Sequence, residues 1–154
     1  MIPAIVLAAG QSTRMGRPKA LLPIEGGDTF LTRIVRTFLD AGVEDVVVVV
    51  GHEAQAIVEG FEGSGLQARF VENPFYKQGQ LTSLLAGLNV VDRPGVVATL
   101  VTLVDVPLVS PATVRAVLDG FRHTGAPVVR PTRGAEHGHP VLLARRIFDQ
   151  LRRA

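Results

Sequence analysis

The sequence predicts an α/β fold with a mostly parallel, doubly wound sheet covered by helices on both faces. Strand-like and helix-like segments alternate along the 154 residues, as they do in parallel sheets whose strands are connected by helices. Residues 43–50, β-branched throughout their second half, and residues 96–104 are apolar runs of the kind found in strands covered on both faces. The length favours one domain with one core, and no internal repeat or low-complexity linker marks a boundary.

The first strand and the first helix are well marked. Residues 3–8 have the pattern of a short buried strand. Residues 29–41 are predicted as a helix because their apolar side chains recur at helical spacing. Asp28 or Thr29 can cap the start of this helix, and Gly42 suits its end. The apolar stripe consists of Phe30, Leu31, Ile34, Val35, Phe38 and Leu39.

The rest of the chain continues the alternation. The further predicted strands are residues 43–50, 68–71, 96–104, 126–130 and 139–143. The further predicted helices are residues 53–61, 80–91, 113–121 and 147–153. Ser110 is expected as an N-cap because Pro111 would occupy the first helical position. Ligands bind at the carboxyl ends of the strands in such sheets, which directs attention to the loops at residues 9–19, 51–53, 72–80 and 105–110.

Composition and charge exclude several classes of protein. Apolar residues make up 47% of the chain and charged residues 19%, a globular rather than a disordered balance. The formal net charge is +2 and no run of Lys or Arg forms a binding arm, so we expect no nucleic-acid partner. Four arginines near the end fall at helical spacing and are interpreted as a solvated face. They are Arg145, Arg146, Arg152 and Arg153.

The chain contains no cysteine, which excludes disulfides, thiolate metal sites and cysteine nucleophiles. Residues 1–10 are apolar but lack the basic start of a signal peptide. The apolar runs, residues 46–50 among them, are far too short to span a bilayer. We therefore expect a cytoplasmic protein with no membrane partner.

The loop that follows the first strand carries two glycines and two cations. Gly10 and Gly16 let backbone N–H groups approach an anion closely. Arg14 offers a planar fork for phosphate oxygens, and Lys19 offers a point charge. The spacing matches neither a dinucleotide-binding fingerprint nor a Walker A loop. Taken alone, the pattern fits equally well a plain strand-to-helix turn with two exposed cations.

Asp105 follows the strand at residues 96–104 and is therefore expected at the ligand-binding edge of the sheet. Mg²⁺ prefers oxygen ligands and often takes only one or two carboxylates, completing its shell with phosphate and water. The segment Asp105-Val106-Pro107 is equally consistent with an aspartate that stabilises a turn. These two interpretations stay open on the residues alone.

Two further segments offer polar groups to a ligand. Gln80, Thr82 and Ser83 open the helix at residues 80–91 and can read a base or a ribose, although Thr82 and Ser83 could instead simply cap that helix. His139 can contact a substrate phosphate or titrate near neutral pH, and it could equally be an exposed loop histidine.

The first loop resembles a known signature. The segment L-A-A-G-x-S-x-R-M-G-x-x-K, residues 7–19, fixes nine positions over thirteen and is similar to that of the MobA-like nucleotidyltransferases. Within them the chain most resembles the MocA-type molybdenum cofactor cytidylyltransferases. This resemblance implies a Rossmann-like, three-layer sandwich of the nucleotide-diphospho-sugar transferase type. It also implies transfer of a nucleotidyl group with release of pyrophosphate.

The resemblance assigns roles to particular positions. Arg14, Lys19 and Asp105 are implied as catalytic residues, with Asp105 as the ligand of Mg²⁺. His139, in a G-H-P segment, is implied to face the acceptor. The implied nucleotide-binding residues are Leu7, Ala8, Ala9, Gly10, Gln11, Ser12, Arg14, Lys19, Gln80, Thr82 and Ser83.

The implied reaction transfers CMP from CTP to the phosphate of a molybdopterin-type cofactor. The position of Ala9 helps to choose the base, and Ala-Ala-Gly resembles the cytidylyl side of the family rather than the guanylyl side. A molybdoenzyme or its chaperone is the implied protein partner. The alternatives are a guanylyl- or sugar-phosphate nucleotidyltransferase and a nucleotide-binding regulatory module with weak catalysis.

The chain departs from the family pattern at two points. Val104 precedes the aspartate where the family usually has glycine. Family members also continue to a further strand and helix, often with a D-x-D-T-P-E-D-like segment that offers a second acidic metal ligand, and nothing after Leu143 resembles that segment. We therefore expect residues 1–154 to form a single domain without this last strand and helix. This domain is expected to bind Mg-CTP but to catalyse the transfer slowly.

Overall fold

The structure is a computed structural model that describes residues 1–10, 16–133 and 136–154, together with the backbone of residues 13 and 14. Its strands are β1 Ala4–Ala8, β2 Thr13–Arg14, β3 Arg17–Pro18, β4 Val46–Val50, β5 Arg69–Glu72, β6 Ala98–Leu103, β7 Val128–Val129, β8 Thr132–Arg133, β9 Glu136–His137 and β10 Val141–Ala144. Its α-helices are α1 Phe30–Asp40, α2 Ala54–Glu62, α3 Gln80–Val91, α4 Pro111–Thr124 and α5 Phe148–Arg152. Short 3-10 turns lie at Lys19–Leu21, Tyr76–Gln78 and Arg145–Ile147.

The main sheet has six strands in the order β5-β4-β1-β6-β10-β7. Strands β5, β4, β1 and β6 are all parallel, whereas β10 runs antiparallel to β6 and β7 antiparallel to β10. The predicted α/β class with a mostly parallel sheet is therefore confirmed. Two short ribbons, β2–β3 and β8–β9, lie outside the sheet in segments for which the sequence pattern predicts no strand.

The central strands are buried on both faces, which explains their uninterrupted apolar sequence. All five residues of β1 and all five of β4 are buried. Alternate side chains point to opposite faces, so Val46, Val48 and Val50 join one core cluster and Val47 and Val49 the other. Helices α1, α2 and α4 cover the first face, and α3 and α5 cover the second. The chain thus forms three layers.

The structure selects Thr29 rather than Asp28 as the N-cap of α1. Thr29 caps α1, because its side chain accepts a hydrogen bond from the backbone N–H of Thr32 in a reciprocal capping box. Asp28 instead accepts hydrogen bonds from Arg33 and Arg36. These bonds explain its lowered pKa: the hydrogen bond from Arg36 has the largest effect, and it outweighs the opposing effect of burial.

The start of α4 follows the sequence prediction. Ser110 accepts a hydrogen bond from the backbone N–H of Thr113, and Pro111 is the first helical residue. The proline fits there because its missing N–H has no intrahelical partner at that position. α4 is also the longest helix of the described residues, with 14 residues. Among the residues that the structure describes, every helix is too short or too polar to span a bilayer.

The C-terminal arginines are not simply a solvated face. Arg145 and Arg152 both lie beside the Asp92 carboxylate, at N–O distances of 3.0 and 2.8 Å. Arg145 also donates to the backbone carbonyls of Arg93 and Val96. The helical spacing alone predicts exposure for these arginines, because Asp92 is distant in sequence and only the fold brings its carboxylate to this surface.

Candidate active site

A cavity of about 210 Å³ lies where the carboxyl ends of the parallel strands meet. This is the edge at which ligands bind in sheets of this kind. The cavity is lined by eight of the residues predicted from the sequence to belong to the site: Leu7, Ala8, Ala9, Gly10, Lys19, Gln80, Ser83 and Asp105. The remaining lining residues are Pro18, Ala20, Ile57, Tyr76, Leu103 and Val104. No motif in the sequence singles out Tyr76, although this residue lies inside the loop at residues 72–80 that the strand pattern indicates as part of the ligand-binding edge.

The chain after β1 returns to the cavity through β3 and the turn Lys19–Leu21. Ala20 is buried in this turn, and Leu22 behind it is buried as well. The side chain of Leu21 packs against Gly60 in α2, where a Cβ atom would lie 2.5 Å from its Cδ2 atom. These apolar contacts anchor the turn, and Lys19 is thereby held at the cavity with its side chain 23% exposed.

Lys19 faces the predicted metal ligand. Its Nζ atom donates a hydrogen bond to Oδ2 of Asp105 across 3.3 Å, and the Asp105 side chain is half exposed. The loop that carries Asp105 is tied to the first strand, because the backbone N–H of Val104 donates to the carbonyl of Leu7 at 3.1 Å. The Val104 side chain is buried. Val104 therefore packs inward while the carboxylate of Asp105 beside it lines the cavity.

Asp105 also borders a second, wider cleft of about 720 Å³. This cleft is lined by residues 105–110, Thr113, residues 131–133 and residues 136–139. It receives His139, together with the cationic side chain of Arg133 and the imidazole of His137. The aspartate is thus shared between the two openings, so a group bound in one can approach a group bound in the other.

The imidazole of His139 is held towards its neutral form. Burial lowers the pKa of His139 from its ordinary 6.5, and the nearby charge of Arg130 lowers it further. Both effects disfavour a protonated ring. At neutral pH this histidine therefore offers one donor and one acceptor rather than a positive charge.

The polar side chains at the start of α3 do not cap the helix. Gly79 is the N-cap residue, and it has no side-chain cap hydrogen bond. Instead, Nδ2 of the buried Asn73 donates to the hydroxyls of Thr82 and Ser83, each at 2.9 Å. The interpretation of Thr82 and Ser83 as simple capping residues was therefore wrong, because the amide that engages them comes from the preceding loop.

Ser83 and Thr82 differ in position. Ser83 lines the cavity, whereas Thr82 is not among the described lining residues. The Thr82 hydroxyl lies within hydrogen-bond distance of the carbonyls of Phe75 and Gly79, so it braces the loop. Gln11, Ser12 and the side chain of Arg14 lie outside the described residues, and their binding roles stay predictions.

The donor set suits a hard cation with few protein ligands. Within the described residues, no group of three or more His, Cys, Asp or Glu side chains could hold a metal ion. Asp105 presents one accessible carboxylate at the cavity. Mg²⁺ fits such a site because it retains water and takes further oxygens from phosphate. A structural zinc site, which needs four protein ligands, does not fit these residues.

Comparison of the sequence with known proteins finds relatives that are named as transferases. The model of the MobA-like NTP transferase domain matches residues 4–154. The chain is 33% identical over 134 residues to a probable molybdenum cofactor guanylyltransferase of Mycolicibacterium paratuberculosis, covering 86% of this chain and 64% of that protein. It is 43% identical over 99 residues to a bifunctional IPC transferase and DIPP synthase of Rubrobacter xylanophilus, covering 62% of this chain and 22% of that protein. The chain thus spans less than two thirds of these relatives.

Comparison with solved structures finds chains of the same fold. The crystal structure of Rv0371c from Mycobacterium tuberculosis H37Rv superposes with a TM-score of 0.81 at 29% identity, covering 99% of this chain and 76% of that one. A second structure of Rv0371c, a complex with manganese, superposes with a TM-score of 0.79. Because the family model covers nearly the whole sequence, the chain belongs to the family of MobA-like NTP transferase domains.

Proposed function

We propose that this chain binds a nucleoside triphosphate in the cavity and transfers its nucleotidyl group to a phosphate-bearing acceptor in the second cleft. One observation carries the proposal: Lys19 and Asp105 lie side by side where the two openings meet. A cation there can bind the triphosphate, and the carboxylate can hold a divalent ion against the same phosphates. Arg14 is proposed as the second cation of the loop.

The proposed reaction needs no protein nucleophile. An oxygen of the acceptor phosphate attacks the α-phosphorus and forms a new P–O bond, while the bond from the α-phosphorus to its bridging oxygen breaks and pyrophosphate leaves. Lys19 balances the charge that builds on the departing phosphates. The two adjoining clefts supply the positioning on which such in-line transfers depend.

We propose Mg²⁺ as the cofactor, held by Asp105 together with phosphate oxygens and water. Bound there, the ion would supply charge neutralisation for the triphosphate. The chain's own contribution is to aim the carboxylate, because the backbone N–H of Val104 ties the loop that carries Asp105 to β1.

CTP is the proposed nucleotide, and a molybdopterin-type cofactor is the proposed acceptor. Ala9, buried in the cavity wall, supports CTP because it stands where the guanylyl-type loop would carry glycine. A relative named as a molybdenum cofactor guanylyltransferase supports the acceptor class. The polar groups around the second cleft, including Arg133 and His139, suit a phosphate on that acceptor. A molybdoenzyme or its chaperone would then receive the product.

A second candidate is transfer to a sugar-phosphate type of acceptor. The 43% identity with the bifunctional IPC transferase favours this alternative. The wider cleft, at about 720 Å³, is large enough for either class of acceptor.

Pyrophosphate release and calorimetry test the proposed function together. The chain is incubated with Mg²⁺ and each of the four nucleoside triphosphates, with a molybdopterin-type cofactor or with a panel of sugar phosphates. Saturable binding of CTP and pyrophosphate release that requires the molybdopterin-type acceptor support the proposal. Release only with a sugar phosphate favours the second candidate. If a nucleotide binds but no combination of nucleotide and acceptor releases pyrophosphate, the chain is a nucleotide-binding module rather than an enzyme. If no nucleotide binds, the proposal is overturned.

A further inference from the structure

Tyr76 occupies a part of the cavity for which the sequence motifs provide no role. It lies in the short turn Tyr76–Gln78, is half buried, and lines the cavity with Ala9, Gln80 and Ser83. Its ring packs on the core cluster that includes Val47 and Val49. An aromatic ring that is partly buried and partly open to a cavity offers apolar surface to whatever binds there.

The ring lies directly on the backbone of Gly51. A Cβ atom at position 51 would lie 2.8 Å from Cβ, Cγ and Cδ1 of Tyr76, closer than real side-chain contacts allow. The φ angle of Gly51 is not in the left-handed region, so the backbone conformation does not require glycine at this position. Glycine is needed here for space, because it lets the tyrosine ring approach the end of β4.

The loop that carries Tyr76 is fixed on both sides. The backbone N–H of Asn73 donates to the carbonyl of Val50 at 2.7 Å. Oδ1 of Asn73 accepts from the backbone N–H of Phe75, while its Nδ2 donates to Thr82 and Ser83 in α3. The ring is therefore held in place before any ligand arrives, which lowers the ordering cost of binding against it.

Strand order places Tyr76 at the opposite end of the cavity from the charged pair. Tyr76 lies over Gly51, directly after β4, whereas Asp105 follows β6, and β1 runs between these strands. Two strand spacings separate the two ends, about 10 Å. A nucleotide with its phosphates at Lys19 and Asp105 would extend its nucleoside in the direction of the ring.

From this arrangement we infer that Tyr76 is the aromatic wall against which the nucleobase of the bound triphosphate packs, and that Gly51 is the positioning residue that admits the ring. The inference rests on the proposed function, since it requires a nucleoside triphosphate in this cavity. It deepens that function by assigning the nucleoside end of the site. Stacking does not distinguish the bases, so Tyr76 contributes affinity and placement while other residues read the base edge.

The first test separates the nucleoside from the phosphates. Calorimetry compares CTP with inorganic tripolyphosphate, both with Mg²⁺. Tyr76→Leu is expected to weaken CTP binding by about tenfold, the loss typical of a removed stacking ring, and to leave tripolyphosphate binding unchanged. Tyr76→Phe should bind CTP like the parent chain. Phe75→Leu, at the neighbouring ring that is 57% exposed and does not line the cavity, is the matched control.

The second test follows the ring itself. Tyr76 is the only tyrosine of the chain, so selective isotope labelling of tyrosine gives a single set of ring signals by NMR. A stacked nucleobase should shift these signals when CTP binds, whereas tripolyphosphate should not. Gly51→Ala should reproduce the CTP defect of Tyr76→Leu, and adding it to Tyr76→Leu should cost little more, because the two changes act on one contact.

These measurements can contradict the inference separately from the proposed function. If the parent chain binds no nucleoside triphosphate, the proposed function fails and the inference falls with it. If it binds CTP and Tyr76→Leu binds equally well, only the inference is overturned. Equal losses for CTP and tripolyphosphate, or ring signals that respond alike to both, show that Tyr76 only supports the loop.

Discussion

The ammonium group of Lys19 lies 3.3 Å from the Asp105 carboxylate, although 86 positions separate the two residues in sequence. Both side chains are partly exposed, at 23% and 50%, and such ion pairs typically contribute only about 0–1 kcal/mol. The pair is therefore easily rearranged. A triphosphate can compete for the lysine while a divalent ion takes the aspartate.

The first prediction concerns Lys19. A charge-assisted contact to phosphate contributes about 1.5–3 kcal/mol, so Lys19→Ala should weaken binding of both CTP and tripolyphosphate by roughly one to two powers of ten. Calorimetric titration measures the change. Arg122→Ala, which removes an exposed cation far along the chain in α4, should leave both affinities unchanged. Unaltered binding by Lys19→Ala would remove this residue from the proposed site.

The second prediction concerns the metal. Asp105→Asn keeps the shape of the side chain but removes the charge that holds a divalent ion. CTP titrations with and without Mg²⁺ should then give the same affinity, and circular dichroism should show the parent fold. Asp119→Asn, an exposed carboxylate in α4, serves as the control and should retain Mg²⁺ dependence. Full dependence in Asp105→Asn would mean that the carboxylate only shapes its turn.

The third prediction concerns the base. The proposed assignment of Ala9 to a cytidylyl-type loop requires that CTP bind more tightly than GTP. Ala9→Gly should reduce that preference by opening space beside the backbone of the loop. Titration of both nucleotides against both proteins measures the ratio of the two dissociation constants. A parent chain that binds GTP as well as CTP would contradict the assignment.

The fourth prediction follows from His139. Burial and Arg130 lower its pKa below 6.5, so the folded state resists protonation more than the unfolded chain does. The unfolded chain then binds more protons as pH falls from 6.5 towards the folded pKa, and stability falls over that window. His139→Gln should lessen this loss in denaturant titrations at pH 7 and pH 5. Arg130→Gln should raise the pKa of His139 in an NMR titration.

The fifth prediction concerns Asp45, which directly precedes β4 and lies at the end of the sheet away from the cavity. Burial raises the pKa of its carboxyl, but hydrogen bonds from Arg69 and Arg93 lower it more, and the net pKa lies below 3.8. The resulting stabilisation is present above pH 3.8 and is lost as pH falls through the folded pKa. Asp45→Asn should therefore destabilise the chain at pH 7, by about 1–3 kcal/mol.

Denaturant unfolding at pH 7 and pH 3 measures this contribution. The difference in unfolding free energy between the parent and Asp45→Asn should shrink at the lower pH. Asp149→Asn is the control, because its carboxylate also pairs with an arginine but is 80% exposed, and it should change stability by less than about 0.5 kcal/mol. An equal difference at both pH values would contradict the prediction.

Local sequence patterns are enough to predict the layers of the fold and more than half of the residues that line the cavity. Periodicity and uninterrupted apolar runs identify β1, β4 and β6, because a strand covered on both faces has no place for polar side chains. The rule for carboxyl strand ends then selects the loops with Lys19 and Asp105. Local signals also predicted the cap at Ser110 and narrowed that of α1 to Asp28 or Thr29, since capping depends on neighbouring residues; the structure selects Thr29.

Contacts between residues that are distant in sequence could not be predicted in this way. The pairing of Arg145 with Asp92, the reach of Asn73 to Thr82 and Ser83, and the contact of Tyr76 with Gly51 depend on how separate elements pack. For the same reason, the sequence pattern does not indicate that β10 runs antiparallel to β6 and β7 antiparallel to β10. Pattern and spacing describe what each segment can bury, whereas a contact between segments is fixed by the sheet order that brings their ends together.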